Sequence, residues 1–279
     1  MAKRKIVADS SADTLVLEGV DFASAPLIIR TEEKNYVDDA TLDVAQMAED
    51  LLHYSGKSST ACPGVGEWLE AFGDADEVFC VTITSNLSGS YNAAAIAARE
   101  YRETYPERRV FVVDSLSTGP EMRLLLERLR DDVAAEMDFD AICDDVSAYS
   151  VKTGLLFVLE SMRNLANNGR VSRLAAKAAG LLGIRAVGKA SDVGTLEMLD
   201  KCRGGKKAQA AVVEHMLALG YVGGAVRISH VGNEEAATNL RDAIAERYPD
   251  AAIQVYHARG LCSFYAEKGG MLIGFEKGE

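Results

Sequence analysis

The stretch VFCVTITSNLSGS, residues 78–90, decides the fold class of this chain. Its first part, Val78 to Ile83, is a short apolar run of the kind that forms a buried strand. Its second part, Thr84 to Ser90, is a run of small polar residues that leads into a helix-like apolar pattern from Ser90 to Tyr105. A strand that passes through a polar turn into a helix is the repeating unit of a parallel α/β sheet.

The same unit occurs twice more in the first half of the chain. Ile6 to Ala8 leads into the turn DSSAD at 9–13, and Val110 to Val113 leads into the turn DSLSTG at 114–119. Because the carboxyl ends of parallel strands meet at one edge of a sheet, we expect the three turns to gather there, where open α/β sheets bind their ligands. The same patterns predict a further strand and three further helices, at Ala25 to Arg30 and at Asp43 to Leu52, Gly66 to Ala71 and Gly119 to Ala135.

Residues 151–279 repeat the alternation of strands and helices. Strands are predicted at Leu155 to Leu159, Ala225 to His230, Ile253 to Tyr256 and Met271 to Phe275, and helices from the basic segment at 201–207 to Leu219 and at Asn233 to Arg247. Between them lie a Gly-containing turn at 167–170 and an Ala-rich stretch at 174–182.

We therefore expect an α/β protein of two domains. Residues 1–150 form an N-terminal domain with a mostly parallel sheet flanked by helices, and residues 151–279 form a smaller α/β or α+β domain. No Pro/Ser-rich linker separates them, so the groove between the domains is the expected ligand site.

Composition excludes several classes of function. The net charge of −12 opposes nucleic-acid binding. No run of about 18 apolar residues predicts a transmembrane helix. The N-terminus lacks the apolar core of a secretion signal, so we expect a cytoplasmic protein. The five cysteines and four histidines lack the spacing of a disulfide framework or a metal site.

Two hydroxyl-rich runs are the candidate binding elements. Lys57 to Gly64 and Thr84 to Tyr91 can each place several O–H and N–H donors around one anion. The alternative is that they only cap helices. With no general base beside them in the sequence, the hydroxyls suit holding a carboxylate better than attacking a carbonyl. The chain also lacks the serine-elbow, phosphate-loop and dinucleotide-binding motifs.

Three charged positions leave alternatives open. Asp9 and Asp114 each lie at the end of a predicted strand, where they either bind magnesium, or act as general acid and base, or, as we favour, brace neighbouring loops. His257 is a candidate base for Ser85 or Ser88, but a lone histidine after a strand is more often structural.

The motifs in their order along the chain resemble the DegV family. The resemblance is carried by seven segments, at 7–13, 25–27, 57–64, 84–91, 113–115, 168–171 and 203–208. It implies that a long-chain fatty acid such as hexadecanoate (palmitate) lies in a tunnel between the two domains, with its carboxylate on the hydroxyl turns. It also implies a lipid-binding protein rather than an enzyme, without a cofactor, that presents the acid to a separate fatty acid kinase subunit.

The resemblance assigns roles to particular residues. The implied carboxylate ligands are Ser58, Ser85, Ser88, Gly89 and Thr60. Further head-group charge is implied for two residues, Arg170 and His257. Two departures from the family pattern are Ala61, where the family has proline, and HARGL at 257–261, where many members have His-x-Gly-Pro-Gly.

Two other interpretations stay open at this point. One is a serine-dependent hydrolase of a lipid or ester that uses Ser85 or Ser88 with His257. The other concerns the segment Lys201 to Lys207, which is either a docking site for a partner protein or a solvated turn.

Overall fold

Four parallel strands in the order β2-β1-β6-β7 form the first sheet. The structure is a computed structural model that describes residues 2–173 and 183–278. The Ala-rich stretch noted at 174–182 lies outside the described residues. The strands of this sheet are β1 (Arg4–Asp9), β2 (Phe22–Ala25), β6 (Glu77–Thr82) and β7 (Arg109–Asp114).

Helices cover both faces of this sheet. Val7, Val78 and Cys80 face α2 and α3, whereas Ile6 and Phe79 face α4 and α5. This alternation follows from the two-residue period of a strand. The prediction of a mostly parallel sheet flanked by helices is therefore confirmed. The helices of this half are α1 (Val44–His53), α2 (Val65–Phe72), α3 (Ser90–Thr104), α4 (Pro120–Ala134) and α5 (Phe139–Ser150).

A small antiparallel sheet corrects one of our predictions. It has the order β4-β3-β5, with β3 at Ile28–Thr31, β4 at Asn35–Val37 and β5 at Ser58–Ala61. The single strand predicted at Ala25 to Arg30 is wrong, because β2 ends at Ala25 and β3 belongs to this other sheet. Pro26 separates them, since proline has no N–H to offer to a ladder.

The hydroxyl run at 57–64 also proves to be part of this sheet. Ser58 to Ala61 pair with β3 as strand β5. The hydroxyl groups of the run do not cap the next helix, because the N-cap residue of α2 is Gly64, which has no side chain to accept from the helix amides. The Gly64 N–H donates to Glu67 Oε2 over 3.1 Å.

The second half of the chain forms a mixed six-stranded sheet in the order β10-β9-β8-β13-β11-β12. Among its described strands, β11 and β12 are the only parallel pair. The antiparallel hairpin of β9 and β10 was not predicted, because its strands are only half buried and carry no clear apolar alternation. The strands are β8 (Thr153–Leu159), β9 (Ile184–Ala190), β10 (Leu196–Arg203), β11 (Val226–His230), β12 (Ile253–His257) and β13 (Met271–Glu276).

Helices pack on this sheet as well. Their bounds are α6 (Arg163–Asn167), α7 (Gly205–Ala218), α8 (Glu234–Arg247) and α9 (Gly260–Ala266). One face packs against α7 and α8 through residues such as Val212 and Leu240. The opposite face, with Leu155 and Phe157, packs against α6 and α9. The basic segment at 201–207 forms the end of β10 and the start of α7.

Helix α4 lies between the two sheets. Its Leu125 and Leu126 belong to the core of the first sheet. Its N-terminus lies against Gly274 of β13, where a Cβ atom would come within 2.5 Å of the Glu121 nitrogen. Each of the larger sheets lies entirely on one side of residue 150, and the division into domains at that point stays a prediction. Within the described ranges, no helix is long and apolar enough to cross a membrane.

Candidate functional site

The three polar turns meet at the carboxyl edge of the first sheet, as expected. Asp9 lies buried at the centre and accepts hydrogen bonds from the Ile83 N–H at 2.9 Å and from the Ser90 hydroxyl at 2.6 Å. It also accepts the Ser11 N–H at 3.2 Å. The Asp9 carboxylate thus joins the first turn to the second.

Asp114 joins the second turn to the third. Its Oδ1 accepts the N–H groups of Ser85 and Leu116, each at 3.1 Å. The Thr84 N–H donates to the Ser117 carbonyl over 2.9 Å. Bracing of loops by Asp9 and Asp114 is therefore confirmed. Across residues 2–173 and 183–278, no group of three or more His, Cys, Asp or Glu side chains is arranged to hold a metal ion.

A cavity lies between this edge and the second sheet, with about 680 Å³ of empty space that includes its opening to solvent. Most of its lining is apolar and comes from both halves of the chain, including Leu27 and Ile83 from one and Leu155 and Leu272 from the other. A mostly apolar lining with a few polar groups is typical of a site for a small, largely apolar ligand. The polar or sulfur-bearing lining residues are Thr60, Ser88, Thr118, Arg170, Cys262 and Tyr265.

Four of these polar residues form a cluster on the cavity wall. Thr60 Oγ1 lies 2.7 Å from the Tyr265 hydroxyl oxygen. The Arg170 guanidinium lies 5.8 Å from the centre of the Tyr265 ring, and its Nε donates to the Leu87 carbonyl over 3.3 Å. Ser88 follows Leu87 directly. We call Thr60, Ser88, Arg170 and Tyr265 the head-group cluster.

The charges of this cluster suit an anion. Among the lining residues that the structure describes, Arg170 is the one with a permanently charged side chain. Burial raises the pKa of Tyr265, so its hydroxyl remains protonated and able to donate. A carboxylate at this point would meet a guanidinium and several O–H donors.

The residues implied by the family resemblance fall into two groups. Thr60, Ser88 and Arg170 line the cavity. Ser58 and Gly89 do not line it but lie next to residues that do. Ser58 is two residues from Thr60 on the same face of β5, and Gly89 follows Ser88.

Ser85 and His257 also lie outside the cavity lining. Ser85 is held in its turn by the hydrogen bond from its N–H to Asp114. His257 is exposed at the end of β12, with its ring 4.3 Å from that of buried His230. Burial, together with the neighbouring His257, lowers the pKa of His230. In the part of the chain that the structure describes, no hydrogen bond links His257 to Ser85 or Ser88.

Tyr265 is the member of the cluster that the sequence patterns missed. It lies on α9, a short helix that we did not predict. Its spacing from Leu261, one helical turn away, is the signal that would have placed both on one face. Cys262 of the same helix is buried, and burial raises the pKa of its thiol well above the usual value, which makes it unreactive.

Comparison with known proteins places the chain among relatives that match along its full length. A sequence model of the DegV family, described as "Uncharacterised protein, DegV family", matches residues 3–277. A DegV domain-containing protein of Streptococcus pneumoniae strain R6 is 43% identical over 276 residues, which are 98% of each chain.

Two solved structures share both sequence and fold with this chain. A DegV family protein from Eubacterium eligens, loaded with heptadecanoic acid, is 45% identical with a TM-score of 0.97 over 99% of this chain and 100% of that chain. The Fatty Acid Kinase (Fak) B3 protein of Streptococcus pneumoniae, loaded with linoleic acid, is 42% identical with a TM-score of 0.97 over the same shares. The chain belongs to the DegV family.

Proposed function

We propose that this protein binds a long-chain fatty acid, with the acyl chain in the cavity and the carboxylate at the head-group cluster. The main support is an apolar cavity in which Arg170, the one permanent charge among the described lining residues, lies close to the Thr60 and Tyr265 hydroxyls. Similarity to the two fatty-acid-loaded proteins supports it. Ser58, Ser85, Gly89 and His257 remain proposed contributors to the head-group site, as the family resemblance implies.

The energetics favour an acyl chain as the ligand. Burying each methylene group contributes about 0.8 kcal/mol, so a hexadecanoyl chain contributes on the order of 10 kcal/mol. Part of this is offset by the ordering of the flexible chain and the loss of its free motion. The cavity wall therefore sets the affinity, and the head-group cluster sets the orientation.

We propose further that the bound acid is presented to a separate kinase subunit. The similarity to a protein named as part of a fatty acid kinase supports this. The segment Lys201 to Lys207 is a candidate contact for such a partner, because lysines 201, 206 and 207 and Arg203 are exposed on a chain of net charge −12. We propose that the protein binds the lipid without a cofactor and that it acts in the cytoplasm.

Replacing Arg170 by Gln should weaken binding of hexadecanoic acid by about 10- to 150-fold, since a hydrogen bond to a charged group contributes about 1.5–3 kcal/mol. Binding of hexadecanol should change little, because the alcohol carries no charge for Arg170 to meet. Isothermal titration calorimetry with both ligands measures the two effects. Arg99→Gln, at an exposed position on α3, is the matched control. Equal losses for acid and alcohol would argue against a carboxylate at Arg170.

A further inference from the structure

Helix α9 forms part of the cavity wall yet lacks a cap of its own. Leu261, Cys262, Tyr265 and Ala266 of this seven-residue helix all line the cavity. The residue before it, Arg259, has no side-chain acceptor for the first amides of the helix. Such amides need partners from elsewhere when they are buried.

The partners come from the first half of the chain. Asp38 Oδ1 accepts the Gly260 N–H at 3.0 Å, and Asp38 Oδ2 accepts the Leu261 N–H at 2.9 Å. Asp13 Oδ1 accepts the Arg259 N–H at 2.8 Å. Asp38 is completely buried, so solvent does not compete with the helix amides for its carboxylate.

The surroundings of Asp38 are adapted to the contact. A Cβ atom on Gly260 would lie 2.7 Å from Asp38 Cγ, so only glycine lets the carboxylate approach this closely. The Arg259 guanidinium lies 3.4 Å from Asp38 Oδ1 and offsets part of the buried charge. The helix is thus held by both carboxylate oxygens at once.

Asp38 also belongs to the part of the molecule that carries Thr60. It directly follows β4, and its own N–H donates to the Leu27 carbonyl over 2.9 Å. Thr60 lies on β5 of the same small sheet, where it meets the Tyr265 hydroxyl. The small sheet and the residue that follows it therefore hold α9 at the start of the helix, through Asp38, and at Tyr265, through Thr60. Phe264 of α9 packs between them against Ile29 and Tyr36 of the sheet.

We propose that Asp38 is a positioning residue for the head-group site, which fixes α9 so that the Tyr265 hydroxyl meets Thr60 and the ligand carboxylate. This inference rests on the proposed function. Asp38 itself does not touch the ligand. Its effect on acid binding passes through Tyr265.

The test is a double-mutant cycle on the preference for hexadecanoic acid over hexadecanol. Asp38→Asn keeps the shape but loses one of the two acceptors, so the preference should fall about tenfold, the scale of a lost hydrogen bond to a charged group. In a Tyr265→Phe background, Asp38→Asn should lower the preference no further, because the residue through which it acts has lost its hydroxyl. Asp39→Asn is the control, since the Asp39 carboxylate accepts from the Thr41 N–H and hydroxyl and, among the described residues, from no amide of α9.

Arg259→Gln is a second variant, to be tested if Asp38→Asn does not fold. It keeps the contacts of Asp13 and Asp38 with the three backbone amides of residues 259–261. It should lower the preference in the same direction by a smaller factor. The role of Asp38 is overturned if a folded Asp38→Asn protein keeps the wild-type preference, or if Arg259→Gln keeps it where only that variant folds. Fatty-acid binding itself would stand in that case. Effects of Asp38→Asn and Tyr265→Phe that simply multiply also overturn it. A wild-type protein that binds no acid removes the proposed function, and this inference with it.

Discussion

Replacing Ala266 by Phe should abolish tight binding of long-chain acids while leaving the protein folded. Ala266 lies on α9 and lines the cavity, so a phenyl ring there occupies space that the acyl chain needs. Exclusion of about five methylene groups costs about 4 kcal/mol, on the order of a thousandfold in affinity. Calorimetry with a series from octanoic to octadecanoic acid measures the effect.

The loss of affinity as a function of acyl chain length shows whether the phenyl ring fills part of the cavity or the substitution disturbs the protein as a whole. Short acids should lose much less affinity than octadecanoic acid, because they leave room for the ring. Ala134→Phe, at the exposed end of α4, adds the same side chain away from the cavity and should leave every affinity unchanged. A uniform loss across the series for Ala266→Phe would contradict an acyl chain at this wall.

Replacing Glu127 by Gln should lower the free energy of unfolding by about 3–5 kcal/mol, the usual cost of removing one partner from a buried ion pair. Arg227 Nη2 lies 2.6 Å from Glu127 Oε2, and Arg227 Nε donates to both carboxylate oxygens. The side chains of Arg227 and Glu127 are only 9% and 12% exposed. Without the carboxylate, the Arg227 guanidinium on β11 stays buried against α4, and no other carboxylate among the described residues lies as close to it. Urea unfolding measures the change.

Two further variants show whether the loss comes from the unpaired charge. Asp131→Asn removes an exposed ion pair with Arg130 on the same helix and should change stability by about 1 kcal/mol or less. The double variant Glu127→Leu with Arg227→Met removes both of these charges and should recover much of the lost stability. It leaves Arg123, which lies 3.1 Å from Glu127 Oε1 and is 26% exposed, without this ion pair but partly in contact with solvent. A double variant as unstable as Glu127→Gln would show that packing, rather than charge, dominates at this contact.

Local patterns were sufficient to predict three of the four strands of the first sheet, and β2 was the exception. Strands β1, β6 and β7 are short apolar runs, and each is followed immediately by its polar turn, so the edge where Asp9, Thr84 and Asp114 meet followed from the sequence. The small sheet was not predictable in the same way. Strand β5 is a hydroxyl-rich run whose extended form depends on pairing with β3, and that pairing is decided by tertiary contacts.

The candidate site shows the same division between local and distant information. The family motifs pointed to Thr60, Ser88 and Arg170, and these three residues line the cavity. Tyr265 was missed because its partner, Thr60, is 205 residues away in the sequence. Asp38 was missed for a similar reason, because its role appears only where it meets the amides of α9, 222 and 223 residues further along the chain.

Native mass spectrometry measures the mass of the intact protein and so shows whether the cavity holds one long-chain fatty acid. Protein purified under mild conditions, and protein first stripped of lipid and then incubated with hexadecanoic or octadecanoic acid, should both show a species heavier by one acid. Unfolding the same samples should release the acid and leave the mass of the bare chain. Protein that stays at the unliganded mass after incubation with both acids would contradict the account.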